Sequence, residues 1–239
     1  TFGSTLRLYV KELTAPTITI SYPTDNAYIG SAMPTIKFTV VDEADGSGVN
    51  ISSLNMTIDS TSYTNTSTGV TVKSITNGYE VELTPTSALS DGSHTFSMSV
   101  SDNDGNSASA TRTFTTDTIA PVLSVTNPST NGGYTANSSL TVTGTATDST
   151  SGTPTVTITL NGTDQGSVSV SSGNFSKAVT LTTGENTIVV TATDKAGKTS
   201  TITRTIILDT SSPVIASINI SPNPVNVGAN YTVTVLITE

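Results

Sequence analysis

Cysteine and tryptophan are both absent from these 239 residues, and only 11% of the residues are charged. Without cysteine there is neither a disulfide framework nor a thiolate metal site, so each core must hold by burial and hydrogen bonding alone. Helical periodicity is missing too: no window carries apolar residues at i, i+3, i+4 and i+7 for more than a turn. Apolar runs end after a handful of residues, far short of the roughly 20 that a spanning helix needs, and no leader-like opening is visible. Membrane insertion of this segment is therefore not expected. Basic residues are few and stand singly, nine against eighteen acids for a net charge of −9. A nucleic-acid partner would need a clustered cationic face, so none is expected.

What is abundant is Thr and Ser interleaved with Val and Ile, in a chain that is 34% hydrophobic. Branched side chains of this kind pack well on a half-buried pleated surface, which predicts a globular all-β protein. The three arginines, Arg7, Arg112 and Arg204, each stand nine residues before a proline, Pro16, Pro121 and Pro213, with an acid between at a fixed offset: Glu12, Asp117 and Asp209. A shared phase implies a shared job, a last strand followed by a stiff connector. Gly92, Asp102, Gly105, Arg112, Asp117 and Pro121 also recur 92 positions later, as Gly184, Asp194, Gly197, Arg204, Asp209 and Pro213.

This phase divides the chain into residues 1–13, the last strand of a preceding module; 14–117, a first complete module; 118–209, a second; and 210–239, the first two strands of a following one. A chain opening in mid-strand reads as a piece of a longer polypeptide. In the second complete module alternation draws seven strands: 122–126, 140–147, 155–160, 167–170, 175–181, one through Ile188, Val190 and Ala192, and 199–208. The first repeats them through Ile18 and Ile20; Ile36, Phe38 and Val40; Leu54, Met56 and Ile58; Tyr79, Val81 and Leu83; Phe96, Met98 and Val100. Its surplus length is expected around Asp45 to Gly48 and Ser60 to Gly69. About seven short antiparallel strands per module predict tandem immunoglobulin-like β-sandwiches.

The segments LSDGSHTFSMSVSDNDGNSASATRTFTTDTIAP and TGENTIVVTATDKAGKTSTITRTIILDTSSP resemble the closing half of bacterial and archaeal Ig-like tandem repeats of extracellular surface proteins. That resemblance implies a non-enzymatic spacer or stalk in a cell-surface, S-layer, cell-wall or adhesin-type protein, with neighbouring Ig-like modules of the same polypeptide as its partners. Similar modules also serve as carbohydrate-binding or adhesive parts of exported enzymes and phage tail proteins, so a surface glycan or protein is the alternative partner. In related Gram-positive modules a strand lysine joins an Asn or Asp through an isopeptide bond. Lys37 is the one candidate, and alternation points it to solvent, away from such chemistry.

No catalytic or cofactor-binding residue is expected. The string Asp102-Asn103-Asp104-Gly105-Asn106 lacks the glycine position and terminal Glu of an EF-hand and reads as a hairpin turn. In a sandwich, however, the loops around Asp42 and Asp102 lie at the end where the linker enters. Asp42, Glu43, Asp45, Asp102, Asp104 and Glu12 are therefore candidate ligands for a structural calcium. The partner string Asp194-Lys195-Ala196-Gly197-Lys198 carries two lysines, which confines that role to the first module. Arg7, Arg112 and Arg204, with Asp117 and Asp209, are expected to brace the junctions. His94 has no partner in a triad-like spacing and is expected on a strand surface. Tyr28 and Tyr134, at similar early positions, are expected to pack.

Overall fold

The computed structural model describes residues 11–221, 224, 227–228 and 230–238. Arg7, and with it nearly all of the strand expected before Lys11, lies outside them. All regular structure among the described residues is β, as the alternation requires. The first nine strands are β1 (Thr17–Tyr22), β2 (Ala27–Ile29), β3 (Ile36–Val41), β4 (Val49–Ile58), β5 (Thr61–Thr64), β6 (Val70–Ile75), β7 (Gly78–Leu83), β8 (Gly92–Asp102) and β9 (Ser107–Thr116). They form two sheets, β1-β3-β7-β6 and β2-β9-β8-β4-β5.

The next nine are β10 (Val122–Asn127), β11 (Gly133–Thr135), β12 (Ser139–Thr147), β13 (Thr155–Leu160), β14 (Thr163–Asp164), β15 (Val170–Ser171), β16 (Asn174–Thr180), β17 (Gly184–Thr193) and β18 (Thr199–Leu208). Their sheets, β10-β12-β16-β15 and β11-β18-β17-β13-β14, repeat the first order strand for strand. Both sets are immunoglobulin-like β-sandwiches. A last pair, β19 (Val214–Ser221) and β20 (Thr232–Thr238), forms a two-stranded antiparallel sheet with every described residue exposed.

The inward residues are those that alternation selects. Ile36, Phe38 and Val40 of one sheet meet Leu54, Met56, Ile58, Phe96, Met98 and Val100 of the other, and all are buried. Phe38 and Phe96 stack in a tilted pair 5.9 Å apart across the two layers. Burying side chains of this size contributes roughly 1.5–3 kcal/mol each, which substitutes for the missing disulfide and tryptophan. In the second sandwich the corresponding space near β12 holds Phe175, packed directly on Gly144, where a Cβ would fall on the Ser124 carbonyl oxygen and the Phe175 ring. Gly78 is required for the same reason: a Cβ there would strike the Val40 carbonyl.

Four strands escape the alternation. β2 and β11 are three residues long and pair in parallel with β9 and β18, too short to display a period. β14 and β15 span two residues each, and the strand expected over 167–170 reduces to Val170–Ser171 and one bridge between Val156 and Val168. The first sandwich holds its surplus partly where expected, in the longer edge strands β5 and β6. β4 also bulges between Asn50 and Asn55, shortly after the loop at Asp45 to Gly48.

The chain divides into two compact units. One comprises residues up to Leu123 with Ala146–Thr155 and Ala192–Ser200; the other comprises Ser124–Thr145, Val156–Thr191 and Thr201 onward. The loops around Asp148 and Asp194 thus belong with the connector 117–121, whose Pro121 carbonyl accepts a hydrogen bond from Ser200 Oγ at 2.6 Å.

Candidate functional site

The connector before β1, the β3–β4 loop and the end of β8 bring Glu12, Asp42 and Asp102 together, each with a carboxylate oxygen within 4.8 Å of the others. Turn chemistry fixes each carboxylate. Asp102 Oδ1 accepts the Asn106 N–H at 2.8 Å and its Oδ2 accepts the Asn106 side-chain amide at 2.6 Å. Asp42 Oδ2 accepts the Gly48 N–H and Glu12 Oε2 the Ser47 N–H, both at 2.6 Å. Asp42 and Asp102 are 3% and 1% exposed. Asp42 Oδ1 and Glu12 Oε1 are nevertheless buried with no hydrogen-bond partner. Burial lifts the Asp42 carboxyl above the usual carboxylate range, and Glu43 adds to the lift. Burial pushes Asp102 the same way, but its hydrogen bonds from Asn106 outweigh that and hold it below.

Of the six acids expected here, the structure brings three into one group. Glu43 and Asp45 are exposed, and Asp104 accepts the Glu12 N–H on Oδ2 at 2.8 Å.

A second group was not expected from the sequence. Asp117 follows β9, Asp148 opens the β12–β13 loop and Asp194 follows β17, and their carboxylates again lie within 4.8 Å of one another. These positions correspond to Glu12, Asp42 and Asp102. The two lysines of the Asp194 loop replace Asn103 and Asn106, neither of which belongs to the first group, so they do not confine the acidic arrangement to the first module. Asp148 Oδ1 accepts the N–H groups of Thr150 and Ser151 at 2.8 and 2.7 Å, and Asp194 Oδ1 that of Lys198 at 2.8 Å. Asp117 is fully buried and Asp194 is 7% exposed, yet Asp117 Oδ2, Asp194 Oδ2 and the buried Ser151 Oγ lack partners. Burial first, then the charge of Asp148 and to a lesser degree Asp194, raises the Asp117 carboxyl, against the nearby Ser151 hydroxyl and the Ile119 N–H, which lower it. The signal was the linker acid itself, Asp117, whose shared phase with Arg112 marks it as part of a junction brace.

The arginines do not meet those acids. Arg112 donates to the Ile20 carbonyl at 3.3 Å and Arg204 to the Thr203 carbonyl at 3.2 Å. Lys37 pairs with Glu82 at 2.6 Å and Lys73 with Glu80 at 3.3 Å, and His94 Nδ1 shares a hydrogen bond with Asp59 Oδ2 at 2.7 Å. Asp117 instead continues the ladder, its N–H bonded to the Ile29 carbonyl at 2.9 Å, and Asp209 does the same with Thr135 at 2.9 Å. The cation over Tyr28 is Lys195, 4.8 Å from the ring centre. Tyr134, expected to pack, is 74% exposed, whereas Tyr28, in an equally short strand, is half-buried beneath Lys195.

His94 is not on the surface but 5% exposed, with Nδ1 bonded to Asp59 Oδ2 at 2.7 Å and Nε2 to the Ser90 carbonyl at 2.8 Å. β8 points it inward beside Phe114, which it contacts at 5.5 Å. Asn186 takes the equivalent place, with its Oδ1 accepting from Asn161 at 3.2 Å and its amide donating to the Thr182 carbonyl at 2.7 Å.

Residues 121–210 match a family model described as glucodextranase, domain B. The fibronectin(III)-like modules of Clostridium thermocellum CbhA are similar in structure, with 17% identity and a TM-score of 0.49 over 81% of this chain and 94% of theirs. Rst D1-D2 is similar at 12% identity and a TM-score of 0.43, over 80% of this chain and 99% of that one. Dimeric latent PorU from Porphyromonas gingivalis follows at 16% identity and a TM-score of 0.38, over 84% of this chain and 21% of PorU. No curated protein matches the sequence.

Proposed function

We propose that this chain is a non-catalytic spacer of an extracellular, cell-surface type of multidomain protein, built as a bacterial or archaeal tandem of Ig-like modules. The observation that carries this reading is one sheet order used twice along one chain, with a proline-marked connector between. The acids accord with it, since both groups sit at loop ends beside the connectors. The glucodextranase domain B match supports an exported setting in which such a module accompanies an enzyme.

That match, with the exposed ring of Tyr134, also favours a second reading, a carbohydrate-binding accessory module. A panel of glucans and surface glycans separates the two. The spacer reading expects neither turnover nor retention at micromolar protein. Specific retention that a Tyr134→Ala variant abolishes would replace it with the second, and turnover of any glycan would end both.

A further inference from the structure

We propose that Asp117, Asp148 and Asp194, with Ser151, bind a calcium ion, and that Glu12, Asp42 and Asp102 form an equivalent second centre. Neither centre depends on whether the chain is a spacer or a glycan binder.

Two independent observations point to a ligand at the first centre. Three carboxylates lie within 4.8 Å of one another, a spacing at which like charges repel strongly in a poorly solvated place. Two of them, Asp117 and Asp194, are more than nine-tenths buried and each leaves an inaccessible oxygen without a hydrogen bond, while the buried Ser151 hydroxyl lies beside Asp117 and Asp148 without a well-aligned bond to either. Buried polar groups are almost always satisfied, so two orphaned carboxylate oxygens in one acidic group mark the place of a missing partner. That partner must be positive and must accept only oxygen donors, which selects a hard divalent cation. Calcium suits better than magnesium, because it takes 6–8 oxygens in flexible geometry, while magnesium gives up its waters reluctantly.

The Glu12 group repeats the pattern. Asp42 is 3% exposed with Oδ1 unpaired, and Glu12 Oε1 is unpaired beside it. In both groups the remaining oxygens are held by backbone N–H donors, Gly48 and Ser47 in one, Thr150, Ser151 and Lys198 in the other. Such bonds orient a carboxylate without supplying a countercharge. Asn106 performs the same task for Asp102. A bound ion would tie the connector to two loops at each place, which gives the linker acid a purpose that the arginine pairing does not.

The test is a calorimetric titration of the chelator-stripped chain with calcium chloride, with magnesium chloride as control. Two calcium sites per chain are expected, with a rise in melting temperature that magnesium reproduces weakly or not at all. Asp148→Asn should abolish one site and Asp42→Asn the other, each weakening it by more than ~10-fold. In chelator Asp42→Asn should melt no lower than the parent, since a buried carboxylate loses its charge, and Asp148→Asn, whose Oδ1 also accepts two backbone N–H groups, should still unfold cooperatively and keep the other calcium site; this distinguishes a lost site from a lost fold. No heat and no melting shift up to millimolar calcium overturns the proposal, as do two sites that survive both substitutions. One site, removed by Asp148→Asn alone, overturns the Glu12 centre and sustains the other.

Discussion

His94 and Asn186 do one job with different chemistry: each sits in a penultimate strand and fastens the turn after β4 or β13 to the start of its own strand. The flanking bonds match as well, with Thr95 N–H on Asp59 Oδ1 at 2.9 Å and Thr187 N–H on Asn161 Oδ1 at 2.8 Å. His94→Ala should therefore cost about 2–3 kcal/mol, from lost packing and from acceptors left unpaired. The double replacement Asp59→Asn with His94→Asn should recover most of that by copying the second sandwich. Differential scanning calorimetry checks both; a double variant as unstable as His94→Ala would contradict the equivalence.

The same pair sets a pH dependence. Burial pushes the Asp59 carboxyl up, but hydrogen bonds from His94 and the Thr95 N–H outweigh it and hold it below its ordinary value. A depressed folded value means that the contribution to stability is present above the unfolded pKa and is lost as pH falls through the folded one. Melting temperatures should drop below about pH 4, where unfolded Asp titrates, and Asp59→Asn should flatten that drop. Gly144→Ala, whose Cβ meets backbone and a ring at once, should destabilise by about 3 kcal/mol or more. The partner of His94 was illegible in sequence because it lies 35 residues away, but its inward direction was not: His94 shares the parity of Phe96, Met98 and Val100 along β8, which the expectation of a surface position overlooked.

Long strands with clean alternation, such as β3, β8, β12 and β17, were readable because period two and burial coincide. The short strands β2, β11, β14 and β15 carry no period, and they exist because a longer neighbour offers free backbone groups. The acidic groups were half legible for a related reason. The linker acid and the acids that end β8 and β17 were visible as a repeat, but which carboxylates meet depends on loop paths that differ in length. Sequence phase sets Arg112 and Asp117 together as a brace, with carbonyls or a carboxylate as the arginine's partners; it reaches the Ile20 carbonyl, and the aspartate turns inward. Replacing Arg112 with Met should accordingly change stability by less than about 1 kcal/mol and leave its salt dependence unaltered. β19 and β20 pack against nothing described, and a lone two-stranded sheet is marginal in water. Their amides should exchange with deuterium far faster than those of β3 or β8; equal protection would mean that another surface covers them.

Taken together, the chain repeats one sandwich, with the same sheet order, the same buried staple and the same acidic pole. The proposed spacer role requires that each sandwich hold its own core against load. Stretching single molecules by their ends tests that most directly. Each sandwich has roughly 90–100 residues at about 3.5 Å of extended chain apiece, so two separate unfolding steps of about 30 nm each are expected. A single rupture releasing the whole length at once would contradict the account, because it would mean one indivisible core.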